Sequence, residues 1–172
     1  MPRLDAVHWV LAAAFAALLI WAAASDVASR RIPNLAVLAL IGLFGLWALA
    51  GLPVSLGSAI AAAAIGFAVG FGLYLFKIMG AGDVKLFAAT ALFIGLAYLP
   101  MFALATALAG GAMAVVSLAT RPRRAAVMFA LRGRGDFGRG IPYGVAISVG
   151  GLLTLWAAAA GIELTDILHP GA

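Results

Sequence analysis

The chain alternates between long apolar stretches and short breaks that are polar or rich in glycine and proline. Six apolar segments are long enough, or nearly so, to cross a bilayer core that needs about 20 helical residues. They cover residues 6–25, 35–52, 56–76, 84–99, 101–120 and 141–162. Pro100 separates the fourth segment from the fifth. The pattern predicts an all-α polytopic membrane protein, a bundle of six transmembrane helices that forms a single membrane-embedded domain over residues 1–172.

The composition supports this prediction and narrows the possible chemistry. Hydrophobic residues make up 66% of the 172 residues, charged residues only 10%, and the mean hydropathy is +1.16. A soluble domain carries about 25% charged residues. The sequence has no cysteine, and His8 and His169 are isolated from each other. We therefore expect neither a metal site nor another cofactor.

Lysine and arginine indicate how the helices are oriented. If the loop after the first segment is cytoplasmic, ten basic residues fall on the cytoplasmic side and only Arg3 falls outside. The ten are Arg30, Arg31, Lys77, Lys85, Arg121, Arg123, Arg124, Arg132, Arg134 and Arg139. This count predicts a protein of the cytoplasmic (inner) membrane with both termini extracytoplasmic and the loop at 121–140 cytoplasmic. The net charge of +5 then reflects topology, and no nucleic-acid partner is expected.

A cleavable signal peptide is the alternative interpretation of the first segment, because Ala-Ala-Ala-Ser precedes Asp26. The apolar run of about 20 residues exceeds the usual hydrophobic region of roughly 7 to 15 residues. Cleavage would also move Arg30 and Arg31 to the outside, against the charge pattern. A retained first helix is therefore favoured.

Small residues mark helix faces that can approach each other closely. Gly66 and Gly70 form a GxxxG pair, and glycine pairs also occur at 110–111 and 150–151. Such faces permit close packing within the bundle or formation of a homo-oligomer.

Two acidic residues stand at the ends of apolar segments. Asp26 ends the first segment, Asp83 opens the fourth, and the topology places both on the cytoplasmic side. A structural explanation exists for each: Asp83 as the N-cap of the fourth helix, and Asp26 as the partner of Arg30 four residues later. Acids at membrane depth are nevertheless functional candidates. Asp136 lies in a polar Arg/Gly loop, where a solvated role is favoured.

Two facing carboxylates suit acid/base hydrolysis of an amide. Close like charges do not ionise together, so the pair holds a proton between them. One Asp then acts as a base on water, while the protonated Asp polarises the carbonyl and later protonates the leaving amine. Glycines before Asp83 let an extended peptide approach it.

The motifs around both aspartates resemble those of a known family. Residues 80–83 read G-A-G-D, which resembles the GxGD signature of intramembrane aspartyl proteases. Residues 25–34 read S-D-V-A-S-R-R-I-P-N, which is similar to the first-aspartate segment of type IV prepilin peptidases. Residues 141–144 read I-P-Y-G and are similar to a later family element, although Val145 stands where many members have a second proline.

The resemblance implies a six-span peptidase that cuts the basic leader of prepilins or pseudopilins at the cytoplasmic face, with Asp26 and Asp83 as the catalytic pair. It implies that the other motif residues bind substrate or shape the site: Gly80, Gly82, Lys85, Pro33, Asn34, Pro142 and Gly144. Large members carry a cytoplasmic domain with paired CxxC motifs. This cysteine-free chain resembles the compact type of tight-adherence (Tad/Flp) pilus systems, and archaeal preflagellin peptidases are similar.

Two alternatives come from other classes of protein. A small proton-coupled transporter would use Asp26 and Asp83 as a relay, although such proteins usually show an internal repeat and acids near the midplane. A noncatalytic assembly subunit of a secretion system would leave both aspartates unexplained.

Overall fold

Helices form the whole of the described structure. The computed structural model describes residues 6–51, 54–120 and 142–162, and in these ranges the chain forms five helical elements and no strand. In chain order they are α1 (Ala6–Ser29), α2 (Asn34–Ala50), α3 (Leu56–Leu75), α4 (Ala81–Thr120) and α5 (Tyr143–Ala160). The all-α prediction is confirmed.

Several of these helices are suited to a lipid environment. By length and composition α1, α3, α5 and residues Ala81–Val116 of α4 are able to cross a membrane, whereas α2 has only 17 residues. Large apolar side chains face outward, among them Leu49 and Trp156, which are 87% and 67% exposed. A soluble monomer rarely exposes apolar surface on this scale. The chain is a membrane protein.

The count of six separate helices is not confirmed, because the fourth and fifth predicted segments lie in the single element α4. Its interruption is at Gly95, with φ 72° and ψ 174°, and Pro100 lies inside helix. Proline removes one backbone donor and can bend a helix without ending it, whereas glycine tolerates this positive φ. The two parts fold back on each other, since the rings of Phe87 and Phe102 stack with centroids 4.4 Å apart.

A serine from α3 supports the break in α4. The Leu96 N–H, which follows Gly95, donates to Ser58 Oγ at 2.8 Å. The interruption removes helical partners at this point, and an unpaired backbone donor is costly where lipid surrounds the chain. A Cβ at Gly95 would lie 3.1 Å from Val54 Cγ1 and 3.2 Å from Ser58 Oγ, so the turn is also tightly packed.

Ser58→Ala is expected to lower the free energy of unfolding by about 1 kcal/mol, because the Leu96 N–H loses its acceptor. Thermal unfolding in detergent measures this loss. Gly57→Ala is the matched control on the same helix, since a Cβ there meets nothing within 4 Å. Equal stability of Ser58→Ala and wild type would show that the hydroxyl does not support the break.

Helix α4 lies against both α3 and α5, and α1 contacts α2 and α5. Glycines permit the close approaches: a Cβ at Gly66 would lie 3.0 Å from Phe87 Cε1, and one at Gly151 would lie 2.7 Å from Thr90 Cγ2. The GxxxG face of α3 is therefore directed at α4 within the same chain. Phe93 of α4 packs against aromatic rings of α1 and α2, with ring centroids 4.6 Å from Phe15 and 5.5 Å from Trp47.

Candidate active site

Asp26 joins the end of α1 to the start of α5. Its side chain is only 6% exposed, and its Oδ2 accepts a hydrogen bond of 2.8 Å from the Gly144 N–H. Gly144 is the second residue of α5, so its N–H has no partner within the helix. A carboxylate is also favoured by the partial positive charge at a helix N-terminus. Asp26 is thus held by a helix that begins more than a hundred residues later.

Gly144 is required at this contact for reasons of space. A Cβ at this position would lie 2.8 Å from Asp26 Oδ2 and 3.0 Å from Asp26 Cβ. It would also lie 3.1 Å from Cδ1 of Ile32. Any larger residue would displace the carboxylate or the start of α5.

The side chain of Asp83 forms a hydrogen bond within the first turn of α4. Its Oδ2 accepts a hydrogen bond of 3.1 Å from the Gly80 N–H, and the Val84 N–H donates to the Gly80 carbonyl at 3.1 Å. The alternative explanation of Asp83 as the N-cap residue is therefore wrong by one turn. Gly80 precedes the helix and Asp83 is its third residue, where a carboxylate reaches back to the capping N–H. The error arose because the apolar run begins at Val84, whereas the helix begins at Ala81.

The two aspartates line one cavity of about 580 Å³. Asp26 comes from α1 and Asp83 from α4, and the turn between α3 and α4 forms much of the wall. The two carboxylates interact electrostatically. The full lining is Asp26, Arg30, Tyr74, Leu75, Lys77, Ile78, Met79, Gly80, Asp83 and Tyr143. Within residues 6–51, 54–120 and 142–162, these aspartates are the only acidic residues.

Two basic residues at the cavity have unusual backbone conformations. Arg30, with φ 55°, and Lys77, with φ 58°, are left-handed although neither is glycine. Each follows the C-terminus of a helix, and at Lys77 the Ile78 N–H donates to the carbonyl of Leu73 in a Schellman arrangement. The left-handed backbone conformation costs roughly 1–2 kcal/mol of conformational energy in a residue that has a Cβ. Backbone strain of this kind often occurs at functional sites. Arg30 interacts electrostatically with Asp26, and both Arg30 and Lys77 line the cavity that contains the two carboxylates.

The other motif residues lie around the cavity without lining it, except Gly80. Lys85 Nζ donates to Asn34 Oδ1 at 3.3 Å and so joins the starts of α4 and α2. A Cβ at Gly82 would lie 3.3 Å from Ile32 Cβ.

The two motif prolines precede helices. Pro33 stands before α2 and its carbonyl accepts from the Ala36 N–H at 3.0 Å. Pro142 stands before α5 and its carbonyl accepts from the Val145 N–H at 3.1 Å. Both prolines therefore set where helices carrying site residues begin.

Sequence reasoning missed several residues of the cavity. Lys77 entered only the topology count, and Tyr74 and Tyr143 were not singled out, yet all three line the cavity. For Lys77, the available signal was a basic residue directly after an apolar segment that ends on the same side as Asp26. Asp136 and the loop at 121–140 lie outside the described residues.

The arrangement suits proton transfer at a peptide bond. Two carboxylates share one partly enclosed space that is large enough for a water molecule and a peptide backbone. In the three described ranges no three His, Asp or Glu residues come together as metal ligands.

Comparison with known proteins identifies the family. The family model described as the type IV leader peptidase family matches residues 13–115, well over half of the chain. The matched range contains both Asp26 and Asp83 and ends before α5. Searches of curated proteins and of solved structures gave no significant match. The chain belongs to the type IV leader peptidase family.

Proposed function

We propose that the chain is an aspartic endopeptidase that removes the basic leader of Flp-like type IV prepilins at the cytoplasmic face of the inner membrane. Membership of a leader peptidase family supports peptidase activity on prepilins in general. The observation that carries the aspartic mechanism is the single cavity lined by Asp26 and Asp83. The cysteine-free sequence resembles the compact type of Tad/Flp pilus systems, and this resemblance supports Flp-like prepilins as the substrates. The family match does not favour a transporter.

In the proposed reaction, one water molecule lies between the two carboxylates. The ionised aspartate takes a proton from this water as its oxygen attacks the scissile carbonyl carbon, while the protonated aspartate donates a hydrogen bond to the carbonyl oxygen. The tetrahedral intermediate then breaks its C–N bond, and a carboxyl proton passes to the leaving amine. The products are the leader with a new carboxylate and the mature pilin with a new amino terminus.

The positions of the supporting bonds agree with these roles. Each aspartate uses Oδ2 to accept from a backbone N–H, of Gly144 or of Gly80. Backbone donors fix a carboxylate without adding a second titrating side chain. A Cβ at Gly80 would lie 2.8 Å from Asp83 Oδ2, so the glycine of the motif leaves room for this bond.

The direct test is cleavage of a candidate Flp-like prepilin by membranes that contain the protein. We expect a shortened pilin whose amino terminus follows the leader, identified by mass spectrometry. Intact prepilin after prolonged incubation, with the enzyme shown to be folded, would contradict the proposed activity for that substrate.

The proposed topology places both termini outside and the loop at 121–140 inside the cell, because ten of the eleven basic residues then lie in the cytoplasm. Alkaline phosphatase fused after Gly51 is expected to be active, and the same reporter fused within the loop is expected to be inactive. Strong phosphatase activity from the loop fusion would reverse the topology.

A further inference from the structure

A second cavity, of about 430 Å³, opens beside the candidate active site. It runs between α3 and the part of α4 that follows Gly95, and Phe87 from the first part of α4 also lines it. We call it the apolar groove. Almost all of its lining is apolar, with Thr106 as a buried exception.

The apolar groove adjoins the cavity of the two aspartates. Ile78, Met79 and Tyr143 line both spaces. One end of the groove therefore lies next to the cavity that contains Asp26 and Asp83. A chain that occupies both spaces would pass from an apolar environment directly to the carboxylates.

The shape and composition of the groove fit a helix. Exposed small residues line it on α4, among them Ala103, Ala107 and Gly111. In lipid, helices associate by close packing at small residues, because the hydrophobic effect does not distinguish protein from lipid tails. The stretch of α4 along the groove, from Ala103 to Ala114, is about 16 Å long at 1.5 Å per residue. This length corresponds to about half of the hydrocarbon core of a bilayer.

We propose that the apolar groove binds the hydrophobic segment of the substrate, as a helix, on the mature side of the bond that is cleaved. This inference rests on the proposed function, since a prepilin is cut where its leader meets a hydrophobic segment. The groove holds the apolar segment within the membrane, and the junction with the leader then lies at Asp26 and Asp83. The groove selects substrates by the presence of an apolar helix next to the cleavage site.

Filling the groove tests this assignment. Gly111→Leu adds a side chain at an exposed position that lines the groove and where a Cβ meets nothing within 4 Å, so it narrows the groove. Gly45→Leu, on α2, is the matched control. A Cβ at Gly45 also meets nothing within 4 Å, and Gly45 lines neither cavity. Two substrates are compared: a full prepilin, and a soluble peptide that ends a few residues after the cleaved bond.

We expect Gly111→Leu to lower the ratio of kcat/KM for prepilin to kcat/KM for the peptide by roughly tenfold or more, since a displaced segment misplaces the scissile bond. Gly45→Leu is expected to keep the wild-type ratio. An unchanged ratio in Gly111→Leu, with wild-type protein cleaving both substrates, would overturn the groove assignment alone. Wild-type protein that cleaves neither substrate would overturn the proposed function and the groove assignment together.

Photo-crosslinking gives a second measurement that does not depend on cleavage rates. A photoreactive residue replaces Ala107, which lines the groove, or Leu38, which is exposed on α2, in an Asp83→Asn background. Crosslinks from position 107 to the hydrophobic segment of prepilin, and few from position 38, are expected. Crosslinks of equal yield at both positions would overturn the assignment.

Discussion

Asp26→Asn and Asp83→Asn are each expected to abolish prepilin cleavage while the protein stays folded and inserted. An amide can neither take a proton from water nor alternate between acid and base, and general acid–base catalysis contributes about 10²–10⁴-fold for each group. The double variant is expected to be hardly worse than either single variant, because groups that act as a unit fail together. The measurement is cleavage by membranes that contain equal amounts of each protein.

Asparagine separates the chemical role of each aspartate from its structural role. Its side-chain oxygen can still accept from the Gly144 N–H at position 26 or from the Gly80 N–H at position 83. If the only role of these carboxylates were to form hydrogen bonds with the starts of helices, both variants would retain activity. Asp136→Asn is the control and should keep most of the wild-type rate. Full cleavage by either single variant would refute the aspartate dyad as the catalytic pair.

Gly144→Ala is expected to reduce prepilin cleavage by roughly 10²-fold, as displacements of about 1 Å at a reacting group can do. The added Cβ would lie 2.8 Å from Asp26 Oδ2, so the carboxylate must move or the start of α5 must shift. Alanine is favoured over glycine in helices by up to about 1 kcal/mol, so helix propensity alone would predict a more stable protein. A loss of activity therefore reports the contact with Asp26.

Gly42→Ala is the control for Gly144→Ala, because it is also a helical glycine and a Cβ there meets nothing within 4 Å. Both variants are assayed for cleavage and for thermal unfolding in detergent. Wild-type cleavage by Gly144→Ala would mean that the contact between α5 and Asp26 does not position the carboxylate for catalysis.

The sequence was sufficient to predict the all-helical fold and to single out the two aspartates that line one cavity. Long apolar runs determine which residues enter a membrane, and Asp26 and Asp83 stand out because acids are rare in such runs. The helices are apolar on all sides, however, so the pattern does not indicate which face packs inward. The contact of Asp26 with Gly144 and the apolar groove could not be predicted for this reason.

Two residues of α4, Gly95 and Pro100, are each of a type that can interrupt a helix. Pro100 was the stronger expected break, yet the chain turns at Gly95. At this turn the Leu96 N–H donates to Ser58 Oγ, which belongs to another helix. The break at Gly95 thus has a tertiary partner, and no window of sequence around α4 contains that partner.

The hydrogen bond between Gly144 and Asp26 has a consequence for the biogenesis of the protein. The two residues are 118 positions apart, and a chain is synthesised and folded from its N-terminus. Helices α1 to α4 are therefore translated, with both aspartates, before residue 144 exists. Until α5 is made, Asp26 lacks the backbone donor that fixes its carboxylate. We expect the nascent chain to be inactive on the ribosome, so that proteolytic activity begins only when the last helix has been inserted.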